Sequence, residues 1–294
     1  MILIVRGSEP AGREKKRDAR TNEAIAAFNR HGAPSKELTS CLEERGDRLT
    51  KMALYRAQQK KCAWCERITD FSSSPVDHIR PKNGAWRNLP DQPRVEDPGH
   101  YWWLTWTWSN LVFSCVRCND AGHKANYFPL FAHTKGIPTP TRRPPLVAPL
   151  PQTVIDTSAE SPLLIDPTAG VDPLDHIEWM PIDERLPPRL WNWEPVEKTP
   201  QGAATIAILK FKELADDVTD HVKTRLLPSI EEIDDHLSSE RWQAAQARWT
   251  QLVEDSLSPT SPLSGPTWHA LSRLMPTAKR AKFGLAEPPK PGRR

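Results

Sequence analysis

The sequence predicts an α+β chain that is mainly helical. Three observations point there. Two Cys-x-x-Cys knuckles, Cys62-Ala63-Trp64-Cys65 and Cys115-Val116-Arg117-Cys118, bracket a stretch of short, turn-bounded apolar runs. Apolar residues at helical spacing precede that stretch, and they return over two long segments after residue 200. With 294 residues the chain has room for two modest domains, or for one core with large additions, so the knuckle region is only part of it. The organisation read from the sequence is an N-terminal strand and helices over 1–60, a knuckle module over 61–135, a proline-rich connector with a short strand over 136–200, a helical region over 201–275 and a basic tail over 276–294.

Met1-Ile2-Leu3-Ile4-Val5 is apolar but broken by Arg6, with neither a basic run before it nor a small-residue cleavage site after it, so it reads as a strand and not a signal. The charge run from Arg13 to Arg20 reads as a solvated helix face in preference to a nucleic-acid contact. Helices follow from Asn22 to Arg30 and from Ser35 towards Lys61, the second interrupted near Gly46. Ser35 opens the latter, and Leu38, Leu42, Leu49, Met52 and Tyr55 give its apolar stripe. Cys41, on the same stretch, reads as a buried inert thiol.

Beyond the knuckles, Pro138-Thr139-Pro140 and Pro144-Pro145 exclude a regular helix. Leu163-Leu164-Ile165-Asp166-Pro167 reads as a short buried strand, and a second proline-rich stretch runs through Pro187-Pro188 to Pro200. Two long amphipathic helices are then expected, one carrying Ile206, Leu209, Leu214 and Val218, the other Ile230, Ile233, Leu237, Trp242 and Trp249. A short helix over Thr267 to Met275 precedes a tail, Lys279 to Arg294, expected to be disordered. The acidic group Glu231, Glu232, Asp234 and Asp235 reads as a solvated helix face.

The 40 basic residues against 37 acidic, a net charge of +3, exclude a histone-like polycation. No run approaches the roughly 20 apolar residues that span a bilayer. A cytoplasmic protein is expected, and in a reducing compartment the knuckle cysteines are thiolates on a metal. Two knuckles suit tetrahedral zinc bound by Cys62, Cys65, Cys115 and Cys118; a complete four-sulfur shell leaves no place for water, so that zinc is structural.

Between the knuckles lies Pro75-Val76-Asp77-His78-Ile79-Arg80-Pro81-Lys82, an edge strand that ends at Pro81. Neighbouring strand residues face opposite sides, so Asp77 and His78 act jointly only if the strand is distorted. The order Asp77-His78, Trp108-Ser109-Asn110-Leu111, then Cys115-Val116-Arg117-Cys118-Asn119 resembles the HNH (ββα-metal) endonuclease family over roughly residues 61–131. Tyr101-Trp102-Trp103-Leu104, His78-Ile79-Arg80-Pro81-Lys82, Asn126-Tyr127-Phe128-Pro129-Leu130 and Leu164-Ile165-Asp166-Pro167 extend the likeness, towards the PtuB-like HNH subunits of Septu and retron anti-phage systems, from the N-terminus to about residue 210.

The resemblance implies a hairpin bearing Asp77 and His78, a helix carrying Asn119, and a metal-dependent endonuclease acting on nucleic acid, DNA before RNA. In this reading His78 is the general base, Asp77 and Asn119 hold Mg²⁺ or Mn²⁺, and Asn110 orients the base-bearing loop; Asn110 is read almost equally well as an ordinary turn residue. The chemistry agrees, since an imidazole titrates near neutrality and hard oxygen ligands suit those ions. Arg80, Lys82 and Lys124 flank the site as phosphate ligands. His123 has no assigned role. Trp102, Trp103 and Trp106 read as core. No Gly-x-x-x-x-Gly-Lys-Ser/Thr loop is present, so the ATPase of such systems, ABC/SMC-like and PtuA-like, would be a separate partner. Two other readings remain open: a stand-alone HNH restriction enzyme, and a zinc-ribbon module that binds nucleic acid or protein and cleaves nothing.

Overall fold

The computed structural model describes residues 1–43 and 47–292. Among the described residues the fold is α+β, with helices surrounding three two-stranded antiparallel sheets. The break expected near Gly46 lies outside the described residues.

The N-terminal helices are α1 (Glu14–His31), α2 (Lys36–Leu42) and α3 (Arg48–Ala57). Their ends follow local rules. Gly32, at φ 82°, closes α1 and gives its N–H to the Phe28 carbonyl. Ser35 and Asp47 accept from the third residue onward, Leu38 N–H at 3.3 Å and Thr50 N–H at 3.3 Å. Helix α1 begins eight residues earlier than the apolar pattern suggests and so carries the charge run from Glu14 to Arg20, with Arg13 as its N-cap. The first five residues are not a strand; Ile4 gives one backbone bond to the Pro167 carbonyl at 2.7 Å.

Strand β1 (Val76–His78) pairs with β4 (Leu111–Phe113), in register Val76↔Phe113, Asp77↔Val112 and His78↔Leu111. Between them β2 (Ala85–Trp86) pairs with β3 (Glu96–Asp97). After β4 come α4 (Val116–Asn119), one turn capped by Cys115, and α5 (Gln152–Ile155). Leu164 and Ile165 are buried as expected but form no strand; the pairing there is a single bridge, Leu130↔Pro162.

The connector over 136–200 departs most from expectation. It contains a hairpin, β5 (Ile177–Pro181) with β6 (Trp193–Glu197). Pro181 and Pro195 are tolerated because a two-stranded sheet leaves each strand one free edge. Helices α6 (Pro200–Leu209), α7 (Ala215–His221), α8 (Leu227–Ser238), α9 (Trp242–Ser256), α10 (Ser264–Leu274) and α11 (Thr277–Phe283) follow. The first long helix expected from the sequence is split at Lys210, whose φ of 48° ends α6. The tail is not disordered over the described residues: Trp249 Nε1 donates to Ala286 O at 2.8 Å, Trp268 Nε1 to Pro288 O at 3.1 Å, and Lys290 pairs with Asp172 at 2.7 Å and Asp175 at 2.6 Å. Trp242, placed in the core by its spacing, is 43% exposed.

A continuous core runs from Phe28 through the knuckle cysteines to Ile233 and Leu271. A smaller cluster of Leu54, Leu111 and Phe113 seats α3 on β4. Arg67 pairs with Asp217 at 2.7 Å and Arg117 with Glu213 at 2.8 Å, and Gly265 N–H donates to Glu66 at 3.0 Å, so the C-terminal helices pack directly on the knuckles. Among the described residues no helix is long and apolar enough to cross a membrane.

Candidate active site

The knuckles converge. All four sulfurs, from Cys62, Cys65, Cys115 and Cys118, are buried and lie within 4.8 Å of one another. The Cys65 and Cys115 sulfurs are 3.8 Å apart, which is the edge of a tetrahedron with Zn–S distances of about 2.3 Å. Cys118 N–H points at the Cys115 sulfur at 3.4 Å, as a knuckle turn requires. Burial pushes the Cys62 thiol up, while bonds from its neighbours, Cys118 first, hold Cys115 down. Four thiolates coexist here only around a cation, and the donor set fits structural zinc.

Trp64, inside the first knuckle, links this centre to the Asp-His pair. Its indole is fully buried and Nε1 donates to Asp77 Oδ2 at 2.8 Å. Asp77 Oδ1 accepts the His78 N–H at 2.7 Å and lies 3.5 Å from the Lys124 ammonium, which donates to the His78 carbonyl. Burial raises the Asp77 carboxyl, with Lys124 as the main opposing influence, and burial lowers the Lys124 ammonium. Asp77 and His78 face opposite sides, as strand alternation demands. Asp77 therefore acts on the His78 backbone and not on its ring.

Asn110 does the same one peptide further along. Its Oδ1 accepts Arg80 N–H at 2.8 Å, and its Nδ2 donates to Arg80 O at 3.0 Å and Leu104 O at 3.2 Å. Its own carbonyl accepts Ile79 N–H at 2.9 Å. The N–H groups of residues 78, 79 and 80 are thus each held by a named partner, and Asn110 is more than a turn residue satisfying its own loop.

The His78 ring points the other way. Its Nε2 is 3.0 Å from the Thr105 carbonyl, which can only accept, so Nε2 carries the proton and Nδ1 has the lone pair. Burial first, then the charges of Lys82 and Lys124, draw the imidazole down to about 3, well below the near-neutral titration expected from the residue type, so it stays neutral but is a weaker base. Among the described residues, His78 lines a cleft of about 330 Å³ together with Thr105, Trp106 and six basic residues, Arg13, Lys16, Arg17, Arg20, Lys51 and Lys82, against one acidic residue, Asp47. Thr105 and the α1 run were not singled out by the sequence as parts of the site. A main-chain carbonyl leaves no trace in sequence, and the charge run had no visible target until the fold placed α1 beside His78.

Several expected residues stand elsewhere. Lys124 is wholly buried against Asp77 and not open to a phosphate. Arg80 pairs with Glu160 at 2.8 Å and lines a different cavity, beside Asn110 and Phe128. Lys82 does reach the His78 cleft, its ammonium on the Leu42 carbonyl. Asn119 ends α4, half-buried. His123, 12% exposed, has Nε2 at 3.4 Å from Glu213. Mg²⁺ or Mn²⁺ on Asp77 does not fit this arrangement. The carboxylate is 4% exposed, and donors from Trp64, His78 and Lys124 take three of its roughly four lone-pair sites. The cation beside Asp77 is the Lys124 ammonium.

The similarity is to a Septu protein. Over 134 residues, 45% of this chain and 39% of the relative, the chain is 32% identical to Septu protein PtuB of Bacillus mycoides (strain KBAB4). The chain thus spans about two fifths of the length of that PtuB protein. No family model and no solved structure matches.

Proposed function

We propose that this chain is an HNH-type endonuclease, the nuclease effector of a Septu-like anti-phage system that works with a separate ABC/SMC-like ATPase. One observation carries the chemistry: His78 lines a cationic cleft with its Nε2 proton fixed on the Thr105 carbonyl, which leaves a neutral Nδ1 as a base. The likeness to a Septu protein PtuB supports the biological setting.

In this reading His78 Nδ1 takes a proton from water, whose oxygen attacks phosphorus as the P–O3′ bond breaks, leaving 5′-phosphate and 3′-hydroxyl ends. The proton returns to the departing 3′ oxygen. Basic side chains of the cleft offset charge on the phosphate. Asp77, Lys124 and Asn110 are positioning residues: they fix the peptides on either side of His78. Zinc on the four cysteines holds the first knuckle, and with it Trp64, against Asp77.

Cells carrying this chain with a Septu ATPase partner should restrict phage plaquing, and His78→Ala should abolish protection with the protein level unchanged. Protection retained in His78→Ala would remove the nuclease reading, in favour of a module that binds without cleaving.

A further inference from the structure

The cleft around His78 has a composition and a shape that narrow its ligand. One wall is the first turns of α1, where Lys16 is 51% exposed at its side chain. Another is α3, with Lys51, and Lys82 stands on the segment that follows β1. Lys16 spends one bond on Asp47 at 3.1 Å and Lys51 one on Ser72 O at 3.3 Å; Lys82 spends one on Leu42 O. An ammonium has three donors, so each keeps capacity for a phosphate oxygen. Arg13 and Arg17 are turned to Glu9, and Arg13 also holds the Trp106 carbonyl at 2.7 Å. These two arginines brace the wall.

Trp106 gives the cleft an aromatic side. The neighbouring Trp102 and Trp103 are 1% and 3% exposed and belong to the core, whereas Trp106 is half-buried and lines the cleft beside Thr105, the residue that fixes the His78 tautomer. An indole lining the same cleft as ammonium groups is the pairing that binds unstacked nucleotides: the bases stack and the phosphates are neutralised.

Shape favours a single strand over the rigid alternative. His78 lines a recess, and a duplex, stiff over about 150 base pairs, carries its phosphates on a convex outer surface with its bases stacked inward. Such a surface offers no base to Trp106. A single strand bends a nucleotide into the recess at small cost. We infer that the His78 cleft is a binding site for single-stranded nucleic acid, with Trp106 stacking a base and Lys16, Lys51 and Lys82 taking the flanking phosphates. The inference rests on the proposed nuclease reading only for which bond is cut; occupancy of the cleft is a separate observable.

Binding is measured on the full chain carrying His78→Ala, so that no turnover intervenes. The readout is fluorescence anisotropy of a labelled single DNA strand, the matching RNA strand, and the DNA duplex of the same sequence. The expected result is a single strand of one or both sugars bound at least about tenfold tighter than duplex. Its log-log salt slope should lie near about −2, as roughly three neutralised phosphates require. Trp106→Ala should cost fivefold or more, consistent with about 1–3 kcal/mol per stacked base, and Trp106→Phe should recover part of it. Lys16→Glu, with its unfolding midpoint measured alongside because Lys16 pairs with the α3 cap Asp47 at 3.1 Å, should weaken binding more than Lys212→Glu, an equal charge change on an exposed residue outside the cleft lining. Duplex bound as tightly as single strand, no binding of any of the three, or equal effects of Lys16→Glu and Lys212→Glu would overturn the inference. Cleavage by the native chain that survives His78→Ala would instead overturn the nuclease reading and leave the binding result standing.

Discussion

Asp77 and Lys124, both buried and 3.5 Å apart, hold between them the N–H and the carbonyl of His78. Removing one charge strands the other inside the protein, which typically costs about 3–5 kcal/mol. Lys124→Met and Asp77→Asn should each lower the unfolding midpoint in urea sharply. The double variant should recover part of the loss, because neither charge is then left alone. Additive losses would mean that the two do not act as a pair.

Asn110→Ala should unpin Arg80 N–H, Arg80 O and Leu104 O together. Each buried polar group left unsatisfied costs about 1–3 kcal/mol, and water entering the gap recovers part of that. The expected loss, read by thermal denaturation, is at least about 2 kcal/mol, with cleavage falling in the protein that remains folded. Asn110→Asp keeps the acceptor for Arg80 N–H but loses both donors, so it should not rescue.

Acid should destabilise the fold. Burial is the main cause holding His78 down to about 3 and His269 down to about 4, so both are neutral in the native state. An unfolded histidine titrates near about 6.5 and binds a proton in the window where the folded one does not. Stability from these two groups is therefore complete above about pH 6.5 and is lost as the pH falls towards 4 and then 3. Urea midpoints taken across pH 7 to 4 should decline, and less so in His269→Gln. For catalysis the same shift means no loss of rate on the acid side near pH 6.5, because the base is already unprotonated there.

Metal analysis should find one zinc per chain, lost together with the fold around the knuckles in Cys118→Ser, since binding free energy at such a centre is folding free energy. Far-ultraviolet circular dichroism before and after a strong chelator would register the change. A chelated protein with an unaltered spectrum and midpoint would argue against a structural zinc.

The sequence announced some of this site and concealed the rest for identifiable reasons. Cysteine spacing is dictated by the reach of thiolates to a common ion, so Cys62, Cys65, Cys115 and Cys118 are found together as expected. His78 was singled out by its residue type and its place between the knuckles, and the fold sets it on the basic cleft. Lys124 was read as a phosphate ligand because lysines are seldom buried, and only the fold shows the carboxylate that permits its burial. The β5–β6 hairpin was hidden by Pro181 and Pro195, which normally speak against strands. The ordered tail was hidden by its basic, proline-rich composition; what orders it is the pair of indole N–H groups of Trp249 and Trp268 seeking carbonyls. Deleting residues 285–294 should leave those donors unpaired and lower the thermal midpoint.

The most direct test of the account is cleavage of a single-stranded DNA circle, of plasmid DNA and of total tRNA by the purified chain, alone and with a Septu ABC-type ATPase added, beside His78→Ala. The account predicts products with 5′-phosphate ends, reduced by about 10²–10⁴-fold when the base is removed. Undiminished cleavage by His78→Ala, or no product from the native chain in any combination, would contradict it.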